Sequence, residues 1–218
     1  MKLFPTLVVD DFLDDPDYVL DLAETVEYND PDYTNHPGVA SKNKIHELDP
    51  KLFDTILKKI LGYYWDLINP IEFRVDMEFQ RIQSKDEGIL NKGIIHLDTS
   101  TGAIAAGVIY LNNNPEKDTG TSFYKLIDDN YRVKEKEFLD PVARYHYGWE
   151  VEGLDKLCQH HYDRFEETMR VQNQYNRLVT YDSNVWHTAT SYGNQTRYTL
   201  RFFINELNSN HQNFPLLR

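Results

Sequence analysis

The chain has 218 residues, with 23 Lys and Arg against 35 Asp and Glu, and a formal net charge of −12. A hydrophobic fraction of 40% and an aromatic fraction of 13% are enough to build a sizeable core, which excludes a chain that is disordered by composition. The acidic balance disfavours nonspecific nucleic-acid binding, because such binding depends on Lys and Arg that neutralise phosphates.

Cysteine usage and hydropathy predict a cytoplasmic protein without membrane association. A single cysteine, Cys158, excludes an internal disulfide and any zinc site built on paired cysteines. The N-terminal sequence MKLFPTLVVDDFLDD has acidic residues after a short apolar run, unlike a signal peptide. The longest apolar run, residues 103–111, is far shorter than the roughly 20 residues that a membrane span requires.

Two helices are predicted in the first third of the chain. Each begins with Asp followed by Pro, at residues 15–16 and 49–50, a pairing typical of a helix N-cap and first turn. Apolar residues then recur at helical spacing over residues 19–26 and 52–61, and the second helix is expected to end near Gly62.

Strand patterns dominate the rest of the chain. From Phe73 the sequence FRVDMEFQRIQ alternates apolar and polar residues, which indicates a strand with one buried face. Further strands are predicted at residues 93–97, 103–112, 121–126, 177–181 and 197–205. No helix separates most of these strands, so an α+β, mainly β, antiparallel barrel or jelly roll is favoured over a parallel sheet.

The domain organisation follows from these patterns. Neither repeats nor Gly/Ser linkers divide the sequence, so residues 1–218 are interpreted as one domain. Within it, residues 1–72 form a helical support, residues 73–205 the jelly-roll core and residues 206–218 a tail.

The core is interrupted by an insertion at residues 126–176, whose later part, from Asp155 to Val171, has helical composition. Long connections of this kind are commonly lids or binding loops. Several aromatic and basic side chains would suit a lid, although the aromatic ones could equally pack the insertion onto the barrel: Tyr131, Arg132, Arg144, Tyr145, Tyr147 and Trp149.

The sequence IIHLDTS carries the first candidate for chemistry. If residues 93–97 form a strand, alternation places His96 and Asp98 on one face, where they offer two ligands of a 2-His-1-carboxylate metal site. By chance alone about one His-x-acid match is expected in this composition, and His161-x-Asp163 is a second. That second pair lies in a helical pattern, where residues two apart diverge, so we discard it.

A third ligand and an anion-binding residue occur late in the chain. His187 comes just after the strand predicted at residues 177–181, and Arg197 begins the next strand ten positions later. Without these two residues, His96 and Asp98 would be interpreted as a surface ion pair. A guanidinium can bind a carboxylate in a bidentate way and keeps its charge when buried.

This order of residues resembles the 2-oxoglutarate and Fe(II)-dependent oxygenases, nearest to the prolyl-4-hydroxylase-like branch, over roughly residues 79–205. The resemblance implies a double-stranded β-helix, a cupin-like jelly roll. It does not extend to the N-terminal helices, which we expect to pack on one side of the barrel. It implies that His96, Asp98 and His187 bind Fe(II), and that Arg197 binds the far carboxylate of 2-oxoglutarate. Tyr110, in the segment GVIYLN, corresponds to a family tyrosine that donates to the same carboxylate.

Alternatives remain open for several of these residues. Arg201 lies on the same strand face as Arg197 and could replace it as the carboxylate anchor, and Tyr110 could be an ordinary half-buried strand residue. Gln83 is a further candidate for the wall of the pocket. Trp186 is expected to pack rather than bind substrate, and His160 and His161 are expected to be solvated, not to form a second metal site.

The resemblance implies a hydroxylase that consumes 2-oxoglutarate and O2. The branch it resembles favours a peptide or protein side chain as the substrate, with a free amino acid or another small molecule as the alternative. Two non-enzymatic hypotheses also stand: a cupin-like binding protein without turnover, and a structural protein in which the triad is a coincidence.

Overall fold

The computed structural model describes residues 4–31, 37–65, 68, 70–83, 88–128, 130–133 and 135–208. Helices cluster in the first third of the chain and in the insertion. They are α1 (Pro16–Thr25), α2 (Ile45–Leu48), α3 (Pro50–Tyr64), a π-helical turn (Glu135–Leu139), α4 (Asp140–His146) and α5 (Leu154–Tyr162), with 3₁₀ turns at Gly88–Asn91 and Asp98–Thr101.

Both predicted Asp-Pro helix starts are confirmed. The Asp15 carboxylate accepts from the backbone amide of Tyr18 at 3.1 Å, and Asp49 accepts from two amides of the first turn of α3 at 3.0 Å each. The helix α3 continues past Gly62 to Tyr64, because the Tyr64 ring is fully buried and packs edge-on against Phe4 at 5.2 Å. Tertiary packing therefore offsets the weak helix propensity of the glycine.

The strands form two antiparallel sheets. They are β1 (Leu7–Val9), β2 (Val39–Ala40), β3 (Glu72–Ile82), β4 (Ala105–Tyr110), β5 (Thr121–Leu126), β6 (Phe165–Val171), β7 (Leu178–Asp182), β8 (Trp186–Ala189) and β9 (Arg197–Asn208). The larger sheet has the order β1-β7-β4-β9-β3-β2, and the smaller sheet has the order β6-β5-β8. This arrangement confirms the prediction of a double-stranded β-helix.

Three expectations about strands are corrected. Residues 93–97 form no strand and contribute only an isolated bridge between His96 and His187. Residues 165–171, expected to be helical, form β6, an edge strand whose five central residues are exposed and so give no alternating apolar signal. The expected tail begins inside β9, which pairs with β3 as far as Asn208; residues 209–218 lie outside the described part.

The two faces of the larger sheet have different partners. Its outer face packs against the N-terminal helices, in a core that includes Ile60 of α3, Phe79 of β3 and Phe202 of β9. Its inner face meets the smaller sheet, where the rings of Phe123 and Tyr181 touch edge-on at 5.3 Å. The predicted packing of N-terminal helices on one side is confirmed.

Within the described residues, no helix is both long enough and apolar enough to cross a bilayer.

Candidate metal centre and anion site

Three side chains that are far apart in the sequence converge at one end of the two sheets. His96, Asp98 and His187 each offer one ligand atom, and these atoms all lie within 4.8 Å of one another. The Nε2 atoms of His96 and His187 lie 3.4 Å from the two Asp98 oxygens, one on each. Asp98 and His187 are buried, at 5% and 4% exposure, whereas the His96 side chain is half exposed. One flank of the group is therefore open to an incoming molecule.

Backbone pairing brings the two histidines together. The amide of His96 donates to the carbonyl of His187 at 3.0 Å, and the amide of His187 donates to the carbonyl of His96 at 3.1 Å. The Asp98 amide donates to the carbonyl of Ser183, which follows β7, at 3.0 Å. Asp98 itself begins a 3₁₀ turn, so the convergence of His96 and Asp98 comes from this bridge and turn rather than from strand alternation.

The hydrogen bonds of the imidazoles set their tautomers. The Nδ1 atom of His96 lies 2.7 Å from the carbonyl of Ile94, and Nδ1 of His187 lies 2.9 Å from the carbonyl of Val185. A carbonyl oxygen only accepts, so each Nδ1 carries a proton, and Nε2 is the atom left to bind a metal when the ring is neutral. Both Nε2 atoms face Asp98, so all three ligand atoms point to one place.

The charges of the group suit a cation. Burial lowers the pKa of His187 to about 4, with a further contribution from His96, so this ring is neutral near pH 7. Burial alone would raise the pKa of Asp98, but His187, His96 and the guanidinium of Arg201 outweigh it, and the pKa is lowered. Burial alone would lower the pKa of His96, but its hydrogen bond and charge interaction with Asp98 outweigh burial, and the pKa is raised. Two imidazoles and one carboxylate form a donor set that suits Fe(II), among other divalent metals.

Aromatic rings enclose the buried side of the centre. The ring of His187 lies 4.3 Å from the ring of Tyr181 and 6.4 Å from the ring of Phe123, measured between centroids. Tyr181 and Phe123 belong to the cluster that packs the two sheets together. This wall holds His187 in place and keeps water away from its ring.

Arg197, at the start of β9, is a buried cation without an ion-pair partner among the described residues. It is 5% exposed, its Nε has no hydrogen-bond partner, and its Nη1 makes one long bond of 3.4 Å to the carbonyl of Ser191. Its guanidinium lies 5.5 Å from the centre of the Tyr110 ring. Burial lowers the pKa of Arg197, yet arginine keeps its charge in proteins. A buried unpaired charge is costly, so this position is suited to an anion.

Two hydroxyl-bearing residues lie beside this cation. Tyr110, on β4, is directly opposite Thr199, on β9, and its hydroxyl lies 2.6 Å from Oγ1 of Thr121. The Oγ1 of Thr199 is buried and has no partner within the described part of the chain. Sequence reasoning did not identify Thr199, although its position two residues after Arg197 on a strand puts both side chains on one face.

The alternative anchor, Arg201, is already paired. Its Nε and Nη2 donate to one Glu78 oxygen at 2.9 and 2.6 Å, and Lys44 forms a close ion pair with the other Glu78 oxygen. Arg201 therefore has a carboxylate partner, whereas Arg197 has none among the residues that the structure describes. This difference favours Arg197 for binding an external carboxylate.

The other candidates from the sequence lie elsewhere. Gln83 is exposed, and its Nε2 donates to Oγ1 of Thr196 at 3.1 Å. Trp186 packs on Phe165 at 5.0 Å, as expected. His161 is not solvated: it is fully buried, because α5 packs against the segment before His96.

The aromatic residues of the insertion divide between packing and exposure. Tyr131 packs against His161 at 5.7 Å, whereas Tyr147 and Trp149 are about half exposed and touch each other edge-on at 5.9 Å. Arg144 lies 5.7 Å from the centre of the Trp149 ring. Of the aromatic residues named for the expected lid, Tyr147 and Trp149 are therefore the ones exposed to solvent.

Comparisons with known proteins give one family and a set of similar folds. Residues 3–195 match the model of a family of unknown function, DUF6445. No curated protein matches the sequence. The structure of HygX from Streptomyces hygroscopicus, with nickel and 2-oxoglutarate bound, aligns with a TM-score of 0.52 at 11% identity, covering 91% of this chain and 82% of that chain.

Prolyl hydroxylases are also among the similar structures. A prolyl-4-hydroxylase from Pseudomonas putida aligns with a TM-score of 0.47 at 14% identity and covers 91% of both chains. A prolyl hydroxylase from Trichoplax adhaerens, in complex with a hypoxia inducible factor peptide, aligns with a TM-score of 0.49 at 11% identity, over 91% of this chain and 82% of that one. At these identities the likeness to HygX shows a shared fold, and the reaction has to be argued from the site.

Proposed function

We propose that this chain, which belongs to the family of unknown function DUF6445, is an oxygenase that uses Fe(II), 2-oxoglutarate and O2. One observation carries the proposal: the triad of His96, Asp98 and His187 occurs in the same barrel as Arg197, a buried cation with no carboxylate partner in the described part of the chain. A metal site alone is common to many functions. A metal site together with an unpaired buried guanidinium matches a cosubstrate that chelates the metal at one end and carries a carboxylate at the other.

The residues of the site fit both Fe(II) and 2-oxoglutarate. His96, Asp98 and His187 supply three ligands, which leaves coordination positions open for a chelating cosubstrate and O2. Fe(II) held by these residues would couple the oxidative decarboxylation of 2-oxoglutarate by O2, which gives succinate and CO2, with hydroxylation of the substrate by the second oxygen atom. The protein contributes rigid ligands on a backbone bridge and an aromatic wall that limits access of water.

We assign the far carboxylate of 2-oxoglutarate to the anion site. Arg197 would donate two charge-assisted hydrogen bonds to it, and the hydroxyl of Thr199 would donate a third. Tyr110 would contribute its hydroxyl after turning from Thr121. Binding this anion also neutralises the buried charge of Arg197. The cost of burying an unpaired guanidinium is then removed, which makes binding more favourable.

We further propose that the substrate is a peptide or protein side chain, on the resemblance of the motif order to the prolyl-4-hydroxylase-like branch. A small-molecule substrate is the second candidate. It is favoured by the likeness to HygX, a structure of which has hygromycin B bound and aligns here with a TM-score of 0.50. In both cases the whole chain acts as one oxygenase domain, with residues 1–72 as a support.

The test is anaerobic addition of Fe(II) and 2-oxoglutarate to the purified protein. We expect a weak visible charge-transfer band from the chelate, and succinate after O2 is admitted. A band without succinate, even in the presence of candidate substrates, would identify a binding protein of cupin type. Absence of metal binding would overturn the proposal. Peptides and small molecules are then compared by how far each stimulates succinate formation.

A further inference from the structure

His161 is a buried histidine outside the triad. It lies on α5 of the insertion, is fully buried, and stacks on the ring of Phe138 at a centroid distance of 4.4 Å. Its Nε2 lies 3.0 Å from the carbonyl oxygen of Ile95, the residue before the ligand His96. Its Nδ1 lies 2.8 Å from the hydroxyl of Tyr131. Both ring nitrogens are therefore engaged, which excludes His161 as a metal ligand in this arrangement.

The directions of these two hydrogen bonds follow from their partners. The Ile95 carbonyl only accepts, so the His161 Nε2 carries a proton and donates it. Burial lowers the pKa of His161 to about 4, so the ring is neutral near pH 7 and its Nδ1 is an acceptor. The Tyr131 hydroxyl then donates to Nδ1. Tyr131 thus selects the tautomer that bonds to Ile95.

A second bond from the same helix reaches the same segment. The hydroxyl of Tyr162 donates to the carbonyl of Gly93 at 2.6 Å. On the other side, a Cβ atom at Gly93 would lie 2.1 Å from Oγ1 of Thr188 on β8, so the backbone runs directly against that strand. The segment that carries His96 is therefore held between β8 and α5. It lies beside the edge strand of the smaller sheet without forming a regular strand itself.

We propose that His161 is a positioning residue for the metal centre, and that its bond to the Ile95 carbonyl fixes the backbone from which His96 reaches the metal. The inference rests on the proposed function, because it takes His96 as a ligand. Groups that orient metal ligands typically change metal affinity by about 10- to 100-fold when removed. His161 bonds to the backbone before His96 and not to the His96 ring, so we expect a loss of metal affinity at the lower end of this range, about 10-fold.

The insertion has a second role if His161 positions the metal centre. The His96 side chain is half exposed, and its segment bonds to the β8 backbone at two points among the described residues: the bridge between His96 and His187, and a bond of 3.3 Å from the Gly93 amide to the Ala189 carbonyl. The bond from His161 to the Ile95 carbonyl holds the backbone between these two points from the other side. The insertion would then support the metal site through His161, in addition to any contact that its exposed aromatic residues make with substrate.

The experiment measures the affinity of the metal-free full chain for Ni(II) by calorimetric titration, with thermal unfolding recorded for each variant. His161→Phe keeps a stacked ring against Phe138 but removes the donor, and we expect Ni(II) affinity to fall by about 10-fold. His161→Gln keeps an amide donor and is expected to recover to within about threefold of the wild type. His160→Phe changes the exposed neighbour on the same helix and serves as the matched control.

Wild-type affinity in His161→Phe would overturn the positioning role, and so would an equal loss in His161→Gln, which would indicate a packing effect alone. If His161→Phe fails to fold, Tyr131→Phe is the second test, because it removes the hydroxyl that selects the His161 tautomer. We expect its affinity for Ni(II) to fall by about threefold. An unchanged affinity in Tyr131→Phe would overturn the inference. Failure of the wild type to bind Ni(II) would instead refute the proposed function itself.

Discussion

His96 and His187 exchange both backbone hydrogen bonds across an isolated bridge, at 3.0 and 3.1 Å, and their rings lie 4.5 Å apart. This pairing directs both Nε2 atoms towards Asp98, although His96 lies in an isolated bridge and not in a strand. Each ring is also oriented by a carbonyl of its own chain segment. Hydrogen bonds within the chain therefore fix the positions of both histidine ligands, which leaves them little conformational freedom to lose on binding a metal.

We expect His96→Ala and His187→Ala each to abolish Ni(II) or Fe(II) binding and succinate formation together, because two remaining ligands hold a divalent metal poorly. Metal binding is measured by titration and turnover by succinate release. His160→Ala, on the surface of α5, is the control and should retain both. Retained turnover in His187→Ala would refute its assignment as a ligand.

Thr199→Val tests the residue that the motif did not identify. Valine has the shape of threonine without the hydroxyl, and the hydroxyl has no partner to lose among the described residues. We expect unchanged thermal stability and a rise in the KM for 2-oxoglutarate of about 2- to 13-fold, which corresponds to one hydrogen bond of about 0.5–1.5 kcal/mol. An unchanged KM would show that Thr199 takes no part in the anion site.

Sequence patterns predicted most of the fold because the buried strands carry a clear signal. The strand from Phe73 and the strand at 121–126 alternate or concentrate apolar residues, and both were found. The edge strand β6 was interpreted as helix, since its side chains face solvent and their composition is set by solubility. The two-residue strand β2 is too short to show any period.

The candidate site was predictable to the extent that it depends on order and spacing. His96, Asp98 and His187 followed from the motif, and Arg197 from its distance to His187. Spacing favours Arg197 over Arg201, but the physical difference between them depends on the fold, because both lie on one face of β9 and Glu78 on β3 pairs with Arg201. The burial of His161 depends on how α5 packs, which no local pattern encodes.

The contrast between the two arginines can be measured directly. Arg197→Ala removes a contact to carboxylate worth about 1.5–3 kcal/mol, so the KM for 2-oxoglutarate should rise by about 10- to 150-fold with metal content unchanged. Its thermal stability should be equal or higher, because a buried unpaired charge is lost.

Arg201→Ala should behave in the opposite way. It leaves the buried Glu78 carboxylate with Lys44 as its remaining cation, so we expect a loss of about 1–3 kcal/mol in the free energy of unfolding. The KM for 2-oxoglutarate should change little. The reverse pattern, with the KM effect confined to Arg201→Ala, would identify Arg201 as the anchor.

The ion pairs of Glu78 also predict a pH dependence. Burial would raise the pKa of Glu78, but Arg201 and Lys44 outweigh burial and lower it below its ordinary value of 4.5. In acid the unfolded chain therefore takes up a proton at Glu78 at higher pH than the folded chain does. The stabilisation is complete well above pH 4.5 and is lost as the pH falls through the folded pKa.

Glu78→Gln isolates this contribution. We expect the variant to be less stable than the wild type by about 1–3 kcal/mol at pH 7, since Arg201 and Lys44 lose their carboxylate. The difference should shrink as the pH is lowered below 4.5, because the wild type then becomes protonated at the same position. Urea unfolding at a series of pH values measures it, with exposed Glu72→Gln as the control for removal of one charge. A difference that stays constant down to the acid transition would show that the pairing of Glu78 does not lower its pKa in the folded protein.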